Sequence, residues 1–353
     1  MKKAIGGLFG LMVCVAVHAG TQVDVYGLNP QSSSRIIKQY GKAVATIESL
    51  LQDELKKMHQ EDEYGASVKR LLAEKQALIK KIKRDYGFLF VEFQTVFYPG
   101  EADTYTTIEV VDKQHAERMR FVNALPYTAP KREKIYRPDL IDAMLRYQGI
   151  VTDLMRHNQL GPLQTACPVY HCFAGFEMPV LKPFLAVFNN GVIKDRQLIL
   201  KTVRDDPDPE RRAGAVFLVG HFRDPHEILS LLSPLVRDRD PAVRNNVMRV
   251  IALTMETAKI SDIDPMPFIE ALDSPYTTDR NKALFVLYAA TASEKARLII
   301  LHQGGMRLLD LMQLKQPNNH DSAFVILKKL SGQSFTTNDT TAWRSWVQSA
   351  LRS

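Results

Sequence analysis

The chain has 353 residues, of which 45% are apolar and 24% are charged, close to the averages of globular proteins. This composition excludes a largely disordered, collagen-like or coiled-coil chain, and the length is sufficient for two domains with a buried core. The 3 cysteines are too few for a disulfide-rich miniprotein or for a zinc site made of four cysteines. A formal net charge of +7 indicates nucleic-acid binding only if the basic residues are clustered.

The first residues, 1–19, have the organisation of a secretory signal peptide. Met1-Lys2-Lys3 is basic, the run Ala4–Val17 is mostly apolar, and Val17-His18-Ala19 provides a cleavage site after Ala19. The apolar run of about 14 residues is shorter than the roughly 20 that span a bilayer. We therefore expect a periplasmic or secreted protein, with a retained N-terminal anchor or lipidation at Cys14 as alternatives.

Removal of that segment makes the charge less informative. Without Lys2 and Lys3 the chain has 44 basic and 39 acidic residues, a net charge of +5. The densest basic run is Lys80, Lys81, Lys83 and Arg84. We expect these side chains to form the solvated end of a helix, where cations offset the helix dipole; contact with an anionic surface is the alternative. Neither nucleic-acid binding nor more than peripheral membrane contact is predicted.

Residues 20–117 carry the pattern of a small α+β domain. Val23 and Val25 alternate with polar residues and the run ends at Gly27, which predicts a strand. Apolar stripes at helical spacing then predict two helices, and the period returns to two over Phe88–Tyr98 and Thr104–Asp112. The predicted order βααββ places two helices on one face of a sheet.

This order resembles the polypeptide-transport-associated (POTRA) domains of cell-envelope proteins, which share the βααββ layout and an opening strand that ends near a glycine. The resemblance is topological and covers about a quarter of the chain. It implies a docking module that accepts a partner strand at its sheet edge. A generic α+β domain is the alternative.

Residues 118–178 are predicted to be a helical linker. Pro126, Pro130 and Pro138 mark an extended segment, and apolar positions from Leu140 to Met155 then predict a helix.

The helix of this linker leads into a loop with the two remaining cysteines, Cys167 and Cys172. In an oxidising compartment their spacing suits a loop-closing disulfide, which we predict. His171 raises the alternative of a metal site, for which a fourth ligand is missing, and free thiols are a further alternative.

The second half of the chain is repetitive. Asp208-Pro209-Glu210-Arg211-Arg212 recurs 32 residues later as Asp240-Pro241-Ala242-Val243-Arg244, and the pattern around Arg244 recurs 36 residues on around Arg280. A further recurrence around His320 lacks the arginine. Repeats of about 30–45 residues in helix pairs predict an α-solenoid, here over residues 179–335. Residues 336–353 are predicted to form a capping helix, with Trp343 and Trp346 over the last repeat.

The residue types of the repeat signature indicate structural roles. Aspartate caps a helix and proline is tolerated at its first position, as expected for Asp208-Pro209 and Asp240-Pro241. We expect Arg212, Arg244 and Arg280 to pair with carboxylates or carbonyls at the repeat junctions.

The repeats resemble HEAT repeats, including the HEAT-like repeats of phycobiliprotein lyases. Asp240–Arg244 matches the family's Asp-Pro-x-Val-Arg signature in full, and Arg211 replaces the valine in the earlier unit. The resemblance implies an all-α HEAT-like solenoid behind the α+β domain, in a chain that is mainly α overall.

No catalytic motif accompanies this organisation. The chain lacks G-x-S-x-G, H-E-x-x-H, P-loop and G-x-G-x-x-G patterns. His221 and His226 have the wrong spacing for one helical face, and Asp205, Asp206 and Asp208 are not followed by the oxygen ligands of a calcium loop. Bilin lyase activity, which the HEAT resemblance would imply, does not fit export or the additional N-terminal domain.

We therefore expect a non-enzymatic scaffold of the bacterial cell envelope, with no catalytic residue, metal or cofactor. It would bind protein partners of the envelope or the secretion machinery through the solenoid and the sheet edge. The alternative is an accessory enzyme or chaperone-like factor with a site in the cleft between the domains, near Cys167–Cys172. A third hypothesis is contact with an anionic surface through Lys80–Arg84 and Arg237–Arg249.

Overall fold

The computed structural model describes residues 21–58, 64–97, 103–122, 138–160 and 167–352. The predicted signal peptide with Cys14 and the linker prolines Pro126 and Pro130 lie outside these ranges, whereas Pro138 is described. A small sheet near the N-terminus is followed by a long series of helices, which confirms the predicted fold class. Among the described helices, none is long and apolar enough to cross a membrane.

The N-terminal domain has the predicted order of elements. The sheet order is β1-β3-β2, with β1 parallel and β2 antiparallel to β3. One face of the sheet packs against both helices through buried residues such as Val25, Ile36, Ile82 and Phe93. The elements are β1 (Thr21–Tyr26), α1 (Pro30–Leu55), α2 (Ala66–Tyr86), β2 (Phe90–Phe97) and β3 (Thr104–Val111).

Gly27 is required where β1 ends. Its φ is +100°, and a Cβ atom there would lie 2.2 Å from both the Val110 carbonyl oxygen and Arg118 Nη1. The missing side chain allows the Arg118 guanidinium to reach β3, where Nη1 donates to the Val110 carbonyl at 2.9 Å. Arg118 belongs to a 3₁₀ helix, Ala116–Phe121, that spans the predicted domain boundary at residue 117.

The remaining helices form two packed layers, an arrangement compatible with a solenoid. Consecutive members of the first layer pack side by side, and members of the second layer pack behind them. The first layer consists of α3 (Leu140–Arg156), α6 (Pro209–Val219), α8 (Pro241–Ala258), α10 (Thr277–Ala290) and α12 (Pro317–Ser331). The second consists of α5 (Arg196–Asp205), α7 (Pro225–Leu232), α9 (Met266–Ala271), α11 (Glu294–Leu311) and α13 (Thr340–Ala350).

One feature of this assembly differs in detail from the sequence pattern. Helix α3 comes from the predicted linker but packs on α6 as a member of the first layer, and α4 (Lys182–Lys194) contacts α3, α5 and α6. The capping helix α13 covers the end of the stack with Trp343 fully buried. The indole Nε1 of Trp343 donates to the Thr336 carbonyl at 2.9 Å, which satisfies its single donor.

The residues of the repeat signature lie at one edge of the first layer. The helices of this layer begin at that edge, which we call the N-terminal edge. Asp208 and Asp240 accept backbone N–H groups of Glu210 and Ala242, each at 2.9 Å, and so cap α6 and α8. The arginines lie one turn into their helices, and each donates to a residue of the following unit. The pairs are Arg212 with Asp238 (2.9 Å), Arg244 with Asp279 (2.7 Å) and Arg280 with Asn319 (2.9 Å).

Arg211, which replaces the valine of the signature, has a different neighbour. It forms ion pairs with Asp139 at 2.6 Å and Asp142 at 2.9 Å, both at the start of α3. The same two aspartates form the capping box of α3. An apolar side chain would leave these carboxylates without a cation, so the departure from the signature reflects the polar end of the adjoining helix.

The sheet of the α+β domain packs onto the N-terminal edge with the face that the helices α1 and α2 do not cover. Glu109 of β3 pairs with Arg280 at 2.6 Å, and both side chains are fully buried. Thr277 Oγ1 also donates to Glu109 at 2.7 Å. The ring of Tyr26 lies 3.9 Å from the Arg280 guanidinium carbon, and its hydroxyl donates to the Leu272 carbonyl. The two parts of the chain therefore share one buried polar interface.

We predict that removal of either partner of this pair is strongly destabilising. Arg280→Met or Glu109→Gln would lower the free energy of unfolding by about 3–5 kcal/mol, because one buried charge loses its counter-charge. Denaturant unfolding followed by circular dichroism measures the change. The double variant Glu109→Leu/Arg280→Met, which buries no charge, should recover much of the loss.

The control for this prediction is Arg237→Gln. Arg237 pairs with Glu270 at 2.9 Å, but the two side chains are 58% and 37% exposed. Its loss should cost less than about 1 kcal/mol, as is usual for a surface pair. Equal losses for Arg280→Met and Arg237→Gln would contradict a special role of the buried pair.

Candidate functional site

One side of the first layer is not packed against a further layer of described helices or strands. Helix α10 contacts α8 and α12 on its flanks and α9 and α11 behind, so its exposed side chains lie on the remaining side. Phe285 and Tyr288 are each 42% exposed there, and Val325 of α12 is 41% exposed. We call this side the outer face, defined by Arg249, Lys282, Phe285, Tyr288, Val325, Lys328 and Lys329.

Cations on the outer face lie beside aromatic rings. Three helices and the cysteine loop contribute to these pairs, which therefore extend across consecutive units of the stack. The distances from charge to ring centroid are 5.3 Å for Arg249 and Phe173, 4.6 Å for Lys282 and Phe285, 4.1 Å for Lys329 and Tyr288, and 5.5 Å for Lys328 and Phe324. Such contacts stabilise a cation by about 0.5–1 kcal/mol at exposed sites, which is weaker than a hydrogen-bonded ion pair in a buried site.

Arg249 and Lys282 are half-buried, unlike Lys328 and Lys329. Burial lowers the pKa of Arg249 to about 10. Burial and the positive charge of Arg249 lower the pKa of Lys282 to about 7. Two cations therefore lie near each other at a position where their charged forms are disfavoured.

Cys167 and Cys172 lie at disulfide distance, 2.03 Å between the sulfur atoms, as predicted. Their loop crosses the ends of the first-layer helices opposite to the N-terminal edge: the Tyr170 N–H donates to the Gly220 carbonyl just after α6. Phe173 packs on Phe217 of α6 with ring centroids 5.6 Å apart. The cysteine loop thus lies at the edge of the stack away from the sheet.

A cleft of about 770 Å³ opens beside this loop, lined by Cys167, Asn189, Arg196, His221 and Glu227 among others. Arg196 and Glu227 form an ion pair across it. His221 Nδ1 lies 2.9 Å from Asn189 Oδ1, and burial lowers the pKa of His221 to about 4, so the ring is neutral at pH 7. In the described ranges no three His, Cys, Asp or Glu side chains are grouped as metal ligands.

The other predicted site residues do not join these features. Lys80, Lys81, Lys83 and Arg84 lie exposed near the end of α2, and Lys81 pairs with Asp85. Arg212, Arg244 and Arg280 are buried at the N-terminal edge. The prediction of an anionic-surface contact through the α2 residues stays a prediction.

The outer face was missed by the sequence reasoning, although a signal for it is present. Val286 and Leu287 of α10 are fully buried, whereas Phe285 and Tyr288 are exposed apolar neighbours. A helix that is apolar around most of its circumference is either buried on all sides or has a partner outside the fold. That excess of apolar residues in Ala283–Tyr288 could have indicated a contact surface.

The chain matches no protein-family model, and comparisons with curated proteins and with solved structures find no match.

We predict that the disulfide stabilises the fold by fastening the cysteine loop. For a loop of this length, Cys167→Ser/Cys172→Ser should lower the free energy of unfolding by about 2 kcal/mol, because the unfolded chain gains conformational freedom. Denaturant unfolding measures the change. Addition of reductant to the wild-type protein should cause a similar loss and have no effect on the variant; an equal effect on both would contradict the prediction.

His221 should make the stability of the fold depend on pH. The pKa of His221 is lowered to about 4 in the fold, whereas the unfolded residue titrates near 6.5, so the unfolded state binds the proton first. The contribution of His221 is therefore present above pH 6.5 and is lost as pH falls toward 4, by roughly 3 kcal/mol at the acid end. Thermal unfolding at pH 7.0 and 4.5 tests this.

His221→Gln is the matched variant for that test, because its amide can still donate to Asn189 Oδ1. We expect the difference in melting temperature between the two pH values to be smaller in His221→Gln than in the wild type. Identical differences would show that the acid sensitivity originates from other groups.

Proposed function

We propose that this protein is an exported, non-enzymatic scaffold of the bacterial cell envelope that binds a protein partner on its outer face. The observation that carries the proposal is the exposed aromatic and aliphatic surface of Phe285, Tyr288 and Val325, on two packed helices of the first layer. Aromatic residues and arginine are enriched at the centres of protein interfaces. Export rests on the basic and apolar pattern of residues 1–19.

The repeat chemistry supports the same proposal. The signature arginines form ion pairs between units, as expected from the residue types of the signature. Stacked helix pairs present extended surfaces for protein binding. The uncovered side of such a stack is where a partner can contact several units at once. On this basis we assign the repeats to a HEAT-like scaffold.

A sheet edge is the second element of the proposed scaffold. The free face of the sheet packs on the helical layers through Glu109, Gln94 and Tyr26, so a partner could use only a strand edge of the POTRA-like domain. In β2 the Phe93 carbonyl already accepts a hydrogen bond from Lys75 Nζ at 2.9 Å. The edge of β1 is therefore the better candidate for strand addition.

Affinity capture from the cell envelope of the native host tests the proposal. Wild-type protein should retain a partner in stoichiometric amount, and Phe285→Ser/Tyr288→Ser should reduce the retained amount at least tenfold, because the apolar centre of the interface is lost.

Leu298→Ser is the matched control, since Leu298 is 57% exposed on α11 of the second layer. It should leave capture unchanged. Failure of the wild-type protein to retain any stoichiometric partner, or equal loss with Leu298→Ser, would overturn the assignment of the outer face.

A further inference from the structure

Two neighbouring cations of the outer face differ from the arginines of the repeat signature. Arg249 lies on α8 and Lys282 on α10, helices that pack directly against each other. Both side chains are half-buried, and each lies beside an aromatic ring, Phe173 for Arg249 and Phe285 for Lys282. Phe173 belongs to the cysteine loop, which therefore forms one wall beside the pair.

Neither cation has a counter-charge. Within the part of the chain that the structure describes, Arg249 and Lys282 form no ion pair and no hydrogen bond, whereas Arg212, Arg244 and Arg280 are each bonded to acidic side chains. Burial and the charges of Arg249 and Lys282 keep the pKa of the nearby His171 well below its usual value, so that ring is neutral. Its buried Nε2 also has no hydrogen-bond partner.

The acidic residues of the same helices are bound elsewhere or lie at a distance. Asp279 of α10 is fully buried at the N-terminal edge, where it accepts from Arg244. Glu256 is exposed on α8, and its separation from Arg249 along the helix is about 10 Å at 1.5 Å per residue. Asp321 is exposed in the first turns of α12, before Val325 and Lys329 on the same helix. Among the described residues, no carboxylate forms an ion pair with either cation.

Like charges that are partly removed from water raise the free energy of the folded protein unless an anion lies between them. A carboxylate can accept charge-assisted hydrogen bonds from a guanidinium and an ammonium group together. The adjoining exposed side chains, Phe285, Tyr288 and Val325, are apolar, so a ligand that covers them needs apolar groups beside its carboxylates. A polypeptide segment with acidic and apolar side chains has both.

We propose that Arg249 and Lys282 bind carboxylates of an acidic, apolar-flanked segment of the partner protein. This inference rests on the proposed scaffold function and specifies the chemistry of its partner. The pair is the charged centre of the contact, and Phe285, Tyr288 and Val325 are its apolar surroundings. A membrane surface is not favoured as the ligand of this pair, because Arg249 and Lys282 are half-buried, in contrast to the exposed Lys328 and Lys329 beside them.

The probe for this site is a fluorescein-labelled peptide of alternating glutamate and leucine, with the glutamine-leucine peptide as its neutral counterpart. Fluorescence anisotropy at low ionic strength should show binding of the acidic peptide only. Arg249→Gln/Lys282→Met should weaken that binding at least tenfold. Lys80→Gln/Lys83→Gln, which removes the same charge from the exposed end of α2, should change it less than twofold.

Two further measurements separate ligand binding from a structural role of the cations. Arg249→Gln/Lys282→Met should keep or raise the melting temperature, since it removes uncompensated charge. In the wild type, peptide affinity should fall between pH 7 and 9 as Lys282 loses its proton, with Arg249 still charged and His171 neutral. In Lys282→Met that fall should be absent.

Several outcomes would overturn the inference: no binding of the acidic peptide, equal weakening by Lys80→Gln/Lys83→Gln, a lowered melting temperature of Arg249→Gln/Lys282→Met, or tighter binding of inorganic phosphate or anionic vesicles than of the peptide.

Failure of this inference is distinguishable from failure of the scaffold function. If Arg249→Gln/Lys282→Met still captures a partner that Phe285→Ser/Tyr288→Ser loses, the scaffold stands and the acidic chemistry is wrong.

Discussion

The buried pair of Glu109 and Arg280 is the interaction on which the arrangement of the whole chain depends. Arg280 corresponds to Arg244 of the preceding unit, which pairs with Asp279. The residue that corresponds to Asp279 in the unit after Arg280 is the neutral Asn319. Without another anion, the last signature arginine would be buried and uncompensated, at a cost of several kcal/mol. Glu109 of the sheet supplies that anion, so the end of the arginine series becomes the attachment point of the α+β domain.

The attachment has consequences for both parts of the chain. The polar residues that alternate with the core positions of the strands face the repeats, where Tyr26, Gln94 and Glu109 contact the turns before α10. The second face of the sheet, which would otherwise be exposed to water, is covered by the helical layers. The same packing removes that face of the sheet as a docking surface.

The contrast between paired and unpaired cations divides the first layer into a structural edge and the proposed binding face. At the N-terminal edge, aspartates cap the helices and the signature arginines pair with other acidic side chains. Arg249, which follows Arg244 on α8, and Lys282, which follows Arg280 on α10, have aromatic neighbours but no anion among the described residues. Proteins retain such unfavourable groups at binding sites, where a partner completes the interaction.

The sequence by itself determined the order βααββ, the helix pairs behind it, the aspartate caps and the cysteine pair. These depend on local periodicity, on capping chemistry and on short spacings, all of which are visible along the chain. Only the tertiary structure decided that Glu109 is the partner of Arg280, that α3 joins the first layer and that Phe285 and Tyr288 are exposed. Those outcomes depend on which residues meet across large separations in the chain, and a periodic pattern identifies an apolar stripe without identifying what covers it.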